Sequence, residues 1–298
     1  MRQMVLRFHG RALVFVCILA TALLSPYTSM HPAARAVEKM KAEDVLAKHL
    51  ESIGPAEERA STHSRVVVGS SRMTFNARGS VGTIEGRMIL GSISRKILFA
   101  TSLPSSDYPG DKFGYDGKKF TVGYLKPGRR STLESFMLIH DVIFKEGLIG
   151  GTLSSAWPLL NLSERKAKLE YAGTEKIGTH LAHKLRYSPD KGSDLEVTLY
   201  FDTETFRHLR TQYDRLVGAR LSGGGIDNQT SQRATRYKLT EDFSDYKQEG
   251  KLNLPHNYKV ELFIDTSTGT STHKWEMTFT DFTFDQDIDE KGFNVEDN

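Results

Sequence analysis

Four carboxylates near the C-terminus, Asp285, Asp287, Asp289 and Glu296, occupy positions 1, 3, 5 and 12 of a calcium-loop pattern. That spacing lets oxygen ligands converge on a hard cation. The glycine such a loop needs at position 6 is Glu290 here, and strand-like sequence precedes it. A solvated C-terminal edge is therefore the better reading. His180 and His183 are three apart, but in a strand they point to opposite faces, which defeats a shared metal site. Ser, His and Asp are abundant, yet neither G-x-S-x-G nor S-x-x-K followed by K-T-G occurs. No phosphate-cradling or dinucleotide-binding glycine pattern is present. The residues thus read as non-enzymatic, with no cofactor and no metal. A hydrolase assembled from scattered side chains is the alternative.

The chemistry left to consider is apolar, and it depends on the elements that would hold it. Met40 to Ile53 carries Val45, Leu46, His49, Leu50 and Ile53 on one helical stripe, and Gly54-Pro55 stops it. From Arg65 the period becomes two. Val66–Val68, Arg72–Phe75, Ile84–Leu90 and Lys96–Thr101 read as strands, broken by glycines at 69, 79, 82 and 91. Asp116-Gly117 marks a hairpin turn before Lys118–Val122. Ser131 and Glu134 form a capping box, opening a helix that runs to Lys145 and ends at Gly147. Leu153–Leu160 is a second apolar stretch limited by Pro158. This block, about 131–160, is the natural helical cover for a sheet.

Strands resume after Lys168. Leu181, His183, Leu185 and Tyr187 alternate, as do Leu195, Val197, Leu199 and Phe201, then Leu209, Thr211 and Tyr213. Gly223–Gly225 marks a flexible loop. Arg236–Leu239, Phe243–Tyr246, Tyr258–Ile264 and Trp275–Phe284 follow, with Leu254-Pro255-His256 read as a turn. Alternation of polar and apolar residues belongs to an antiparallel sheet solvated on one side. About ten such strands in one sheet will curl. The fold class expected is mainly β, a curled antiparallel sheet with a few helices across an apolar interior.

The N-terminus reads as a secretory signal over residues 1–36. Arg2, Arg7 and Arg11 precede the apolar run Ala12–Leu24, and Ala34-Arg35-Ala36 supplies the small-x-small cleavage pattern. The run is shorter than the roughly 20 residues that span a bilayer. An uncleaved anchor is the alternative. The sole cysteine, Cys17, lies inside the run, so cleavage after Ala36 leaves a chain without thiols or disulfides. The formal charge of +3 comes from 40 Lys and Arg against 37 Asp and Glu. Four of the basic residues (Arg2, Arg7, Arg11, Arg35) and none of the acids lie in the first 36 positions, so residues 37–298 carry 36 against 37, or −1. That removes the clustered positive charge a nucleic-acid partner requires. No second apolar run approaches membrane-span length. The expected location is the periplasm of a Gram-negative-type bacterium.

The order of several segments resembles a known family. KHLESIGPAEE (Lys48–Glu58) leads into SRVVVGSSRMTF (Ser64–Phe75). YFDTETFRHLRTQY (Tyr200–Tyr213), EDFSDYKQEGKLNLPHNYKVEL (Glu241–Leu262) and FTFDQDIDEKGFNV (Phe282–Val295) follow. Together they resemble the exported LolA/LolB-like lipoprotein-carrier superfamily, over most of residues 37–298. The carriers proper are smaller, and no position here matches their ligand-handling residues one for one. The resemblance implies one domain over 37–298, a half-barrel of antiparallel strands closed by helices around a hydrophobic cavity. It implies a carrier of lipid or lipoprotein acyl chains. The inward residues Phe75, Met88, Leu90, Phe99, Leu185, Leu199, Phe201, Tyr213, Leu262, Met277 and Phe279, with Phe144 on the cover, would line it. The alternative is a filled core of the same fold, a non-enzymatic interaction or sensor domain whose sheet edge meets an envelope protein.

Overall fold

The computed structural model describes residues 40–77, 80–218 and 234–296. The signal segment 1–36 with Cys17, Gly79 and the Gly223–Gly225 loop lie outside the described residues. Helix α1 (Ala42–Ile53) buries Val45, His49 and Ile53, the stripe the sequence marks, and Asp44 accepts the Lys41 backbone N–H at its start. A short second helix, α2 (Ala56–Ser61), begins just after Pro55.

The strands are β1 (Ser64–Ala77), β2 (Ser80–Ile93), β3 (Lys96–Ser102), β4 (Lys112–Tyr115) and β5 (Phe120–Val122). After a helical segment come β6 (Lys168–Ile177), β7 (His180–Ser188), β8 (Glu196–Asp202) and β9 (His208–Val217). The last three are long: β10 (Thr235–Glu249), β11 (Leu252–Thr266) and β12 (Gly269–Phe284). All twelve form one antiparallel sheet in the order β5-β4-β3-β2-β1-β12-β11-β10-β9-β8-β7-β6. The antiparallel, mainly β expectation holds. The sheet is not closed into a barrel, since β5 and β6 are its free edges.

Every neighbour in this order except the central pair β1/β12 is also a neighbour in sequence. The chain therefore leaves the sheet at one edge after β5 and re-enters at the other edge with β6. The connection, residues 123–167, must cross the sheet. Its residues pack into the common core: Leu133, Phe136, Ile143, Phe144, Leu153, Trp157 and Leu159 are all buried. Phe144 packs at a tilt against Phe113 (5.4 Å between ring centres) and Phe120 (4.8 Å) at the β4–β5 side. Two residues on, Glu146 accepts the Tyr187 hydroxyl of β7 at 2.7 Å. The buried Arg65 of β1 donates to the Thr152 carbonyl.

Several local expectations are corrected. The helix read from Ser131 to Lys145 is two: α3 (Thr132–Ile139) and α4 (Val142–Lys145), separated at His140 (φ −114°, ψ 48°). Ile139, at the end of α3, is 76% exposed. The 153–160 stretch forms 3₁₀ turns at Gly151–Leu153 and Pro158–Asn161, then α5 (Leu162–Arg165). Leu254-Pro255-His256 is not a turn but lies within β11. Proline is tolerated there because the ladder to β12 begins only at Asn257. Beside it, Asp245 of β10 takes a left-handed φ of +56° where the ladder skips a pair. The breaks read at 69, 82 and 91 do not end strands. Gly69 instead serves a bulge against β12, where a Cβ would lie 2.0 Å from the Thr278 carbonyl.

Candidate functional site

The turns β1–β2 and β11–β12 and the end of β9 lie at one end of the sheet, called distal here; β2–β3, β8–β9 and β10–β11 turn at the other. Helix α3 lies against the distal end. Its start is fixed as the sequence predicts: Glu134 N–H donates to Ser131 Oγ (2.9 Å) and Ser131 N–H to the Glu134 carboxylate (2.7 Å). The cap is also wired to the sheet. Trp275 Nε1 of β12 donates to the Tyr108 hydroxyl at 3.1 Å, and Tyr108 and Ser131 both donate to Asp111. Asp111 N–H in turn donates to Thr101 Oγ1 at 2.8 Å. Asp111 and Glu134 are fully buried. Burial pushes Asp111 up to about 6 against the pull of its hydroxyl donors, and Glu134 up to about 7.

Above this network α3 and the sheet leave a groove of about 240 Å³. Met73, Phe75, Ile84, Leu133, His273 and Trp275 line it, with Tyr108, Arg129 and Arg130 among its other walls. Burial lowers the His273 pKa, so the ring is neutral at neutral pH. The Arg130 guanidinium sits 4.1 Å over the Tyr124 ring. Exposed apolar side chains belong to the same end: Val81 (70%), Ile139 (76%), Leu138, Leu216 and Val217.

Of the twelve residues proposed as cavity lining, Phe75 alone lines this groove. Met277 borders a separate surface hollow beside Asp242, Lys259 and Glu276. Met88, Leu90, Phe99, Phe144, Leu185, Leu199, Phe201, Tyr213, Leu262 and Phe279 are buried together in one continuous core. The side chains of the crossing segment share that core.

Sequence reasoning missed the polar groups inside it. Glu241 is fully buried and, among the described residues, forms no ion pair; its carboxylate accepts Gly150 N–H (2.7 Å) and the hydroxyls of Tyr213 and Tyr258. Burial raises it to about 7, opposed by those hydrogen bonds. Nearby, Trp157 Nε1 donates to His49 Nε2 (3.3 Å) and stacks on His208 (4.9 Å). Burial lowers His49 to about 4 and His208 well below its ordinary value, so both are neutral. Gly151, at φ +47°, lets the crossing chain pass: a Cβ there would lie 2.7 Å from His208 Nδ1.

Three of the four C-terminal carboxylates are otherwise engaged. Asp285 accepts the backbone N–H groups of His63 and Ser64, Asp289 accepts that of Lys291, and Glu296 pairs with Lys119. Among the described residues, no group of three or more His, Cys, Asp or Glu could hold a metal ion. No described helix is long and apolar enough to cross a membrane.

No protein-family model and no curated protein matches the sequence. Among solved structures, the chain is similar to a DUF1329 family protein from Desulfovibrio piger (12% identity, 85% of this chain and 96% of that one, TM-score 0.40). It is also similar to a putative outer membrane lipoprotein-sorting protein domain from Vibrio parahaemolyticus (16% identity, 85% and 97%, TM-score 0.43). A third likeness is to a Pseudomonas aeruginosa MucA/MucB complex structure (10% identity, 81% and 99%, TM-score 0.21). At these scores the likeness is too slight to carry function across.

Proposed function

We propose that this chain is an exported, non-enzymatic binding protein for a hydrophobic ligand, a lipid or a lipoprotein acyl chain, entering at the distal end. The observation that supports this most is the apolar groove beneath α3, with Phe75, Ile84 and Leu133 on its walls. On this reading the curled sheet is a half-barrel and the crossing segment its cover. The groove, at about 240 Å³, is smaller than the roughly 300–1,000 Å³ of typical ligand pockets. Admission of an acyl chain therefore requires α3 to move, and the break at His140 supplies a hinge. Each methylene then buried contributes about 0.8 kcal/mol.

The well-filled core favours a second reading, an interaction domain whose exposed Val81, Leu138 and Ile139 meet an envelope protein. Native mass spectrometry of protein purified from its host envelope separates the two. Co-purifying lipid is expected on the first, and Ile84→Asp should abolish it while circular dichroism stays unchanged. Lipid-free protein from a lipid-replete envelope, or lipid retained by Ile84→Asp, would count against the groove.

A further inference from the structure

At the opposite end of the sheet lies a cleft of about 590 Å³ between α2, the β2–β3 turn and α5. Three arginines face it, one from each wall: Arg59, Arg95 and Arg165. Two are held in place by backbone carbonyls. Arg59 Nε donates to Gly54 O at 3.0 Å. Arg165 donates to Ala156 O at 3.0 Å and Lys145 O at 3.3 Å. A guanidinium has five N–H donors, so each keeps several free. Among the described residues none of the three forms an ion pair, although most arginines on the sheet surface, such as Arg72, Arg186 and Arg210, do. Among the described residues Glu164 is the one acid on the cleft wall, which leaves a net positive site. Burial pulls Arg165 below its ordinary pKa, and the like charge of Arg95 adds to this. Leu50, Trp157 and Leu160 supply an apolar part of the wall.

We propose that this cleft binds a phosphate group carried on a small organic body, held by Arg59, Arg95 and Arg165. Guanidinium forks match phosphate oxygens in bidentate geometry. Cations gathered in a concave, partly apolar site focus their field on an entering anion. The apolar wall gives the phosphate's organic body a place to lie. The site is separate from the distal groove, and its occupancy does not depend on hydrophobic-ligand binding there.

A phosphate of this kind could be a soluble ester or a phospholipid headgroup, and calorimetry separates them. The full chain is titrated with glycerol 3-phosphate, and in parallel with phosphatidylglycerol vesicles against phosphatidylcholine vesicles. Binding of either phosphate probe should be saturable and weaken as salt is raised. Arg95→Gln and Arg59→Gln should each reduce affinity by about tenfold or more. Arg95 is exposed, so its loss leaves folding intact. Soluble ester binding with this loss identifies a free phosphate ester. Vesicle binding alone, selective for phosphatidylglycerol and equally sensitive, identifies a headgroup. No binding of either probe, or binding that both variants retain, overturns the proposal.

Discussion

Glu241 shows how one residue sets the pH response of the fold. Its carboxyl is folded away with three hydrogen-bond donors, and its pKa rises from 4.5 to about 7. Below pH 4.5 the group is protonated in both folded and unfolded chains. As pH rises from 4.5 to 7 the unfolded chain releases its proton first, so the folded state loses stability, and the full cost stands above 7. Asp111 and Glu134 act in the same direction. His49 acts oppositely: its pKa falls from 6.5 to about 4, so its contribution is lost as pH falls through that window. Comparing Glu241→Gln with the parent cancels all the others. The variant should gain on the parent by about 3 kcal/mol between pH 4.5 and 8, from the rise of the Glu241 pKa to about 7. Urea unfolding at several pH values reads this directly; a constant difference would show that Glu241 does not titrate in that window. Other residues hold position by space alone, as Gly151 does beside His208.

At the scale of elements, α3 depends on the residue that caps it. Ser131 caps the helix and also donates to Asp111, so it joins helix, loop and sheet. Ser131→Ala removes both bonds and should cost about 1–2 kcal/mol, lowering the urea midpoint without changing the slope. Ser131→Thr should restore most of it; failure of both variants to move the midpoint would mean the cap is not needed. The cap was legible because its two residues are local in sequence. So were the Asp116-Gly117 turn, where Asp116 accepts from Lys118 and Lys119, and the apolar stripe of α1. Glu241 was not, because Glu241-Asp242 reads as a break between two short strands. The signal lay in parity: Tyr237, Leu239, Glu241 and Phe243 share one face of β10, and the strand runs on through them. The break of α3 at His140 has no local signal, since Ile139 and Ile143 keep helical spacing. The groove draws Phe75, Ile84, Leu133 and Trp275 from four separate elements, and of these only Phe75 was named from sequence as lining.

For the whole molecule, the order of strands in space differs from their order in the chain, and that decides where stability sits. The last strand, β12, lies at the centre of the sheet, paired with β1 on one side and β11 on the other. It carries Trp275, Met277 and Phe279 into the core, all buried. The edge strand β6 alternates half-buried and exposed positions and has no fully buried residue. Burying three such large side chains is worth about 5–9 kcal/mol, comparable with the roughly 5–15 kcal/mol of an entire domain. A chain ending at residue 268 keeps eleven strands yet loses the one that joins its two halves, so it should not fold. Tyr171→Ser in β6 removes a half-buried ring from the edge and should leave the fold intact. Near-UV circular dichroism and limited proteolysis distinguish them: the truncated chain should lose its aromatic signal and be degraded rapidly, and the β6 variant should behave as the parent. A protease-resistant truncated chain would place the stability of this sheet in its separate halves instead of in the seam between β1 and β12.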